Sequence, residues 1–140
     1  MTRIVPYIRW IMLVSGVLTA TMIYAAIAPD AALRATFGET LDGPLAQVVV
    51  RNWGALIALV GGMLIYGAFD PPARPLILVV AGVSKAIFIG LVLSQGARYL
   101  AQQAAVAIAV DLVMVALFAW YLLAAGSVKQ RAAVVSQPVS

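Results

Sequence analysis

The sequence predicts an all-α integral membrane protein, a bundle of four transmembrane helices, and three observations carry that prediction. Of the 140 residues, 64% are hydrophobic and only 10% are charged, whereas soluble domains carry about 25% charged residues. Mean hydropathy is +1.05. Four separate stretches reach the roughly 20 apolar residues that a hydrocarbon core of about 30 Å demands of a helix. The length leaves room for a single domain.

The first span is predicted over Ile8 to Ala28, closed by Pro29-Asp30. Arg3 and Arg9 near its start give it the look of a signal peptide, but the apolar run is too long for a typical h-region and lacks a convincing cleavage site. It is therefore read as a true span. The connection over 29–45 is longer than a helical hairpin needs. A short interfacial helix is expected there, capped by Asp30, running through Ala31, Leu33, Arg34 and Phe37, and ended by Gly38 in a left-handed conformation. The polar return "GETLDGP" comes next. This outer loop either lies over the mouth of the bundle or merely joins two spans.

The second span, Ala46 to Ala68, opens after Gly43-Pro44 and stops before Asp70-Pro71-Pro72. The third covers Pro75 to Gln95, and the fourth Ala104 to Ala125, with Gly126-Ser127 as its expected end. A transmembrane domain over 1–128 and a disordered cytoplasmic tail over 129–140, containing Ser136, Gln137, Pro138 and Ser140, complete the organisation.

Basic residues orient the spans. The N-terminus, the 69–74 turn and the tail hold Arg3, Arg9, Arg74, Lys129 and Arg131, while the opposite loops hold Arg34 and Arg98. The positive-inside rule then places both termini in the cytoplasm, in a bacterial inner membrane. Nine Lys and Arg against five Asp and Glu give a net charge of +4, which reflects this topology and implies no nucleic-acid partner. The absence of Cys and His removes disulfides, thiol redox chemistry, iron–sulfur ligation, the usual axial ligand of b-type haem and the commonest zinc ligand. No cofactor or metal is expected.

Arg51, Lys85 and Asp111 are the charged residues well inside the spans. Such groups cost several kcal/mol against lipid and normally face a bundle interior or a wet cavity. Helical spacing supports an inward aim. Arg51 shares a face with Gly54, Ala55, Ala58 and Gly62; Lys85 with Ala81 and Gly82; Asp111 with Ala104 and Ala107. On the first span, four-residue steps from Gly16 through Ala20 lead to Tyr24. At 1.5 Å per residue, Arg51 and Asp111 lie about 7 to 11 Å below the outer end, with Lys85 near the midplane. Convergence on one polar site in the outer half is the expectation. Two cations and one carboxylate leave a positive charge to be balanced: by Glu39 or Asp42 folding inward, by an anionic ligand, or by a neutral Lys85. The structural alternative is that Lys85 and Asp111 simply pair while Arg51 snorkels to headgroups. Asn52 faces a different side of the second span, toward a neighbouring helix. The candidate ligand-binding set is Arg51, Lys85, Asp111, Tyr24, Glu39 and Asn52. Tyr7, Trp10, Trp53, Trp120 and Tyr121 stand near span ends, where aromatic belts are expected.

The first span ending "AAIAPDAALRATFG", the second opening "VRNWGALIALVGGML", the lysine of "GVSKAIFIGL" and the aspartate of "VAIAVDLVMVALF" together resemble the BphX-like family, small bacterial four-helix membrane proteins akin to the DoxX-like group. The resemblance covers roughly residues 8 to 122. It implies the four-helix fold and a polar interior, and no established reaction.

Three kinds of function are compatible with these residues. A binding protein would hold a small anionic or lipophilic ligand on Arg51 and Lys85, with Asp111 orienting the lysine and Phe88, Ile89, Met114 and Phe118 receiving an apolar body. A transporter would oligomerise to make room for a pathway and would titrate Asp111 or Lys85. An accessory protein would keep a satisfied polar core and offer its helical surface to membrane lipid, to another copy or to a membrane-protein partner. No nucleophile constellation supports an enzyme, and catalysis is not expected.

Overall fold

A computed structural model describes residues 5–135. A short 3₁₀ turn, Val5–Tyr7, leads into α1 (Ile8–Ala20) and α2 (Ile23–Ile27), which together make the first span. The break between them has a local cause. The Thr21 hydroxyl donates to the Leu18 carbonyl at 2.5 Å, and the amides of Met22, Tyr24 and Ala25 bond to carbonyls three residues back. The turn is thereby tightened from α to 3₁₀ spacing.

The outer connection forms α3 (Pro29–Phe37), ended as expected by Gly38 at φ 75°, whose amide bonds to the Arg34 carbonyl. Its start differs from expectation. Ala28 is the N-cap and Pro29 the first helical residue, a position where a missing amide hydrogen costs nothing. Asp30 sits in the first turn instead, and its carboxylate accepts a 2.9 Å bond from Gln47.

The remaining spans are α4 (Pro44–Phe69), α5 (Arg74–Ser94) and α6 (Gln103–Val135). Each is long and apolar enough to cross a membrane. The last runs on past Gly126-Ser127 and past residue 128, where the tail was expected to begin. Ser127 satisfies its hydroxyl within the helix, on the Ala124 carbonyl at 2.9 Å, and "KQRAA" supplies strong helix formers. Residues 136–140, which hold the rest of the expected tail, lie outside the described part.

α4 packs closely on α1, and glycines set the distance. A Cβ on Gly61 would stand 2.5 Å from the Ala20 amide nitrogen, and one on Gly16 2.8 Å from the Gly61 carbonyl oxygen. α5 lies along α6, and α4 also contacts α2 and α5. The tight turn between α4 and α5 is held by Arg74, which donates to the carbonyls of Gly67 at 2.9 Å and Ala68 at 2.8 Å. The guanidinium thus satisfies carbonyls that the end of α4 leaves without partners. Arg9 stacks on Phe69, 4.7 Å from its ring centre, so the start of α1 and this turn share one end of the molecule.

The largest buried cluster lies toward that end and joins four helices: Ile8 and Met12 from α1, Leu64 and Ala68 from α4, Leu78 and Ala81 from α5, Met114 and Phe118 from α6. A second cluster, Ile89, Val92, Ala104 and Ile108, joins α5 to α6 toward the opposite end. The outward faces remain apolar, with Trp10, Leu59, Leu76, Leu91, Val106 and Leu123 all exposed. Surface of that kind suits lipid contact.

Candidate functional site

At the end bearing α3, no buried cluster joins α1–α2 to α6 among the described residues. A cavity of about 270 Å³ occupies that space. Its wall takes Thr19, Thr21 and Met22 from the kinked first span, Trp53, Ile57 and Val60 from α4, Ser84, Lys85 and Phe88 from α5, and Gln103, Ala107, Asp111 and Met114 from α6. Thr36 of α3 closes it from above, and Met114 belongs both to this wall and to the buried cluster beneath. Leu18, Thr21 and Val110 are wall residues that are also exposed, so the chamber opens sideways along the seam between the first span and α6.

Lys85 is 8% exposed, and its Nζ donates to Asp111 Oδ1 at 2.5 Å. Each charge supports the other in a place where neither would be stable alone. The pairing leaves capacity unused. An ammonium has three donors and a carboxylate about four acceptor positions, and among the described residues this bond is the one the pair makes. Thr19 adds a second, independent sign of incompleteness. It is 6% exposed, and its Oγ1 is buried with no hydrogen-bond partner among the described residues. A helical threonine ordinarily turns its hydroxyl to a carbonyl three or four residues back; this one makes no such bond, and its residue belongs to the chamber wall.

The other members of the expected site lie elsewhere. Arg51 is exposed and donates to the Ala26 carbonyl at 2.8 Å. That carbonyl belongs to the last turn of α2, where the helix provides no amide partner. Arg51 therefore caps a helix end and does not share the chamber with Lys85. Gly62, expected on its inward stripe, faces open space, and it is Gly54 and Gly61 that meet the first span. Tyr24 is 52% exposed, because the tightened turn at Thr21–Met22 shifts the register of α2 relative to α1. Asn52 is exposed as well. Glu39 pairs with Arg98 at 2.7 Å, linking the loop after α3 to the loop before α6. The hydrogen bond from Arg98 to Glu39, reinforced by their charge attraction, raises the guanidinium pKa above its usual value.

With Arg51 outside, the chamber's charges cancel. The expected surplus of positive charge is absent from this set of residues, and with it the requirement for an anion. Trp53, expected in an aromatic belt, is a chamber wall residue 6.2 Å from the ring of Phe37. Thr19, Thr36, Ser84 and Gln103 escape a reading of the sequence that tracks charges alone. Threonine and serine are common in apolar helices and glutamine at helix starts, and only membership of the chamber wall distinguishes these four.

Four apolar helices of membrane-crossing length define the class of the protein, a small integral membrane protein. No family model, curated protein or solved structure matches the chain.

Proposed function

We propose that the protein is a non-catalytic binding protein that takes a small lipophilic molecule from the membrane and holds its polar head in the chamber. The observation that carries this reading is that one chamber wall holds Thr19, whose buried hydroxyl has no partner among the described residues, and a Lys85–Asp111 pair with donors and acceptors to spare. A buried polar atom without a partner costs about 1–3 kcal/mol, which a ligand group bonded to it would offset. A head that both accepts and donates, a hydroxyl or a carbonyl with a neighbouring hydroxyl, uses Lys85, Asp111 and Thr19 together. Because lysine and aspartate neutralise each other, an uncharged head suits the chamber better than a carboxylate or phosphate. The opening along the α1–α6 seam gives such a molecule a route from the lipid.

We also propose the orientation implied by the basic residues, with both termini cytoplasmic and the chamber in the outer half of a bacterial inner membrane. Arg9 and Arg74 lie at the same end of the molecule, and α3 with the Glu39–Arg98 link lies at the other.

Ligand binding is tested with 6-bromohexanol, whose bromine quenches tryptophan fluorescence on contact. In a Trp10→Phe/Trp120→Phe background, Trp53 is the single tryptophan left. Saturable quenching in bilayers is expected. Thr19→Val should weaken it about fivefold, the value of one hydrogen bond of about 1 kcal/mol. Quenching that rises linearly with the alcohol and is the same in both proteins would mean that no site exists.

A further inference from the structure

A second cavity of about 310 Å³ lies beyond the chamber, between the α3 ends of α4 and α5. Its lining is almost wholly apolar and includes Leu33, Val49, Val50, Leu91 and Val92. Trp53 and Phe88 face both cavities. The two spaces are therefore divided, at that point, by side chains rather than by backbone. Phe37 stands against both, its ring 6.2 Å from Trp53 and 6.5 Å from Phe88. Aromatic rings at these separations are in contact but not stacked flat, so Trp53 and Phe88, with Phe37 against them, are the side chains that stand between the two spaces.

We propose that the two cavities form one bipartite site for a neutral single-chain amphiphile, with its head in the chamber and its chain lying past Trp53 and Phe88 in the apolar groove. This rests on the proposed binding function and goes further, naming the shape of the ligand. The chemistry differs between the two parts, since Gln95 and Tyr99 are the polar members of an otherwise apolar second lining, apart from the shared Trp53. Hydrogen-bonding side chains (Thr19, Ser84, Lys85, Asp111) belong to the first cavity alone, and Val49, Leu91 and Val92 to the second alone. From Lys85 to Val92 is about 10 Å along the axis of α5, at 1.5 Å rise per residue, a span that an extended alkyl chain crosses. Val49 and Leu91 are exposed to the surrounding lipid, so a chain longer than the groove continues into the bilayer. The head then lies deeper than its chain, the reverse of an ordinary leaflet lipid. A charged headgroup would have to cross the apolar wall to reach that pose, and two acyl chains would not fit one groove, which is why the site selects a neutral molecule with one chain.

The test measures displacement of 6-bromohexanol from the Trp53-only protein in bilayers by straight-chain alcohols from hexanol to tetradecanol. Potency is expressed as mole fraction in the membrane, so that partitioning cancels. We expect tetradecanol to be at least about fivefold more potent than hexanol, because a chain packed against fixed side chains gains dispersion contacts over one in fluid lipid. In Val49→Phe/Leu91→Phe, which fills the groove at two lipid-facing positions, this gain should vanish while 6-bromohexanol quenching stays saturable. Val49→Phe alone gives the same test with a milder change should the double variant fail to accumulate. An equal gain with chain length in filled and open proteins overturns the bipartite site and leaves the chamber standing. Absence of saturable quenching by 6-bromohexanol overturns the chamber and the bipartite site together.

Discussion

At the scale of single residues, the Lys85–Asp111 pair shows how an interior charge is tolerated where lipid surrounds the helices. Each group is stable only because the other is 2.5 Å away, so the cost of a substitution depends on what is left behind. Lys85→Met alone should destabilise the protein by about 3 kcal/mol, since it strands a largely enclosed carboxylate. Lys85→Met/Asp111→Leu should recover most of that loss, and reversible unfolding in mixed micelles would measure both. A double variant no more stable than the single one would mean that the pair is not the main support of its own members. Arg51 behaves differently. It is exposed and bonded to a helix-terminal carbonyl, so Arg51→Gln should cost about 1 kcal/mol, the value of an ordinary hydrogen bond, and leave 6-bromohexanol binding unchanged.

Among the elements, the close approach of α1 and α4 decides where the chamber can lie. Without a hydrophobic drive between helices in lipid, association depends on close packing, and small residues permit it. Gly61 and its neighbour Gly62 make a paired test. At Gly61 a methyl group would meet the Ala20 backbone at 2.5 Å, while at Gly62 it would meet nothing within 4 Å. Gly61→Ala should destabilise by about 1–3 kcal/mol through overpacking, whereas Gly62→Ala should be neutral or slightly stabilising through helix propensity. Equal effects at the two positions, in the same unfolding measurement, would contradict the packing described. The kink at Thr21–Met22 works in the same region: it turns Thr19, Thr21 and Met22 toward the chamber and Tyr24 away from it.

For the whole molecule, the arrangement is a dry half and a hollow half. At the end of Arg9 and Arg74, four helices close on Met12, Leu64, Leu78 and Phe118; at the other, α1–α2 and α6 stand apart beneath α3. The orientation proposed from the basic residues can be read directly, because the chain has no native cysteine. A membrane-impermeant maleimide should label Asp42→Cys in intact spheroplasts and Gln130→Cys only after lysis. The opposite pattern would place the chamber in the cytoplasmic half and its ligand in the other leaflet.

Much of this protein is determined by its sequence alone, for a physical reason. Hydropathy over about 20 residues is a local property, so the four spans, the breaks at Asp70-Pro71-Pro72 and Gly43-Pro44, and the left-handed stop at Gly38 could all be read without a structure. The mutual need of Lys85 and Asp111 was legible too, since two charges in apolar helices have few other partners. What only the tertiary structure decided is which of the polar residues meet. Helical spacing assigns a face but not a neighbour, and a single tightened turn at Thr21 is enough to move Tyr24 out and leave Thr19 as the buried donor. Arg51 has the right depth and the right sign, yet an unpartnered carbonyl at Ala26 lies within its reach. A cavity is a property of what fails to pack between distant segments, and no window of sequence contains both of its walls.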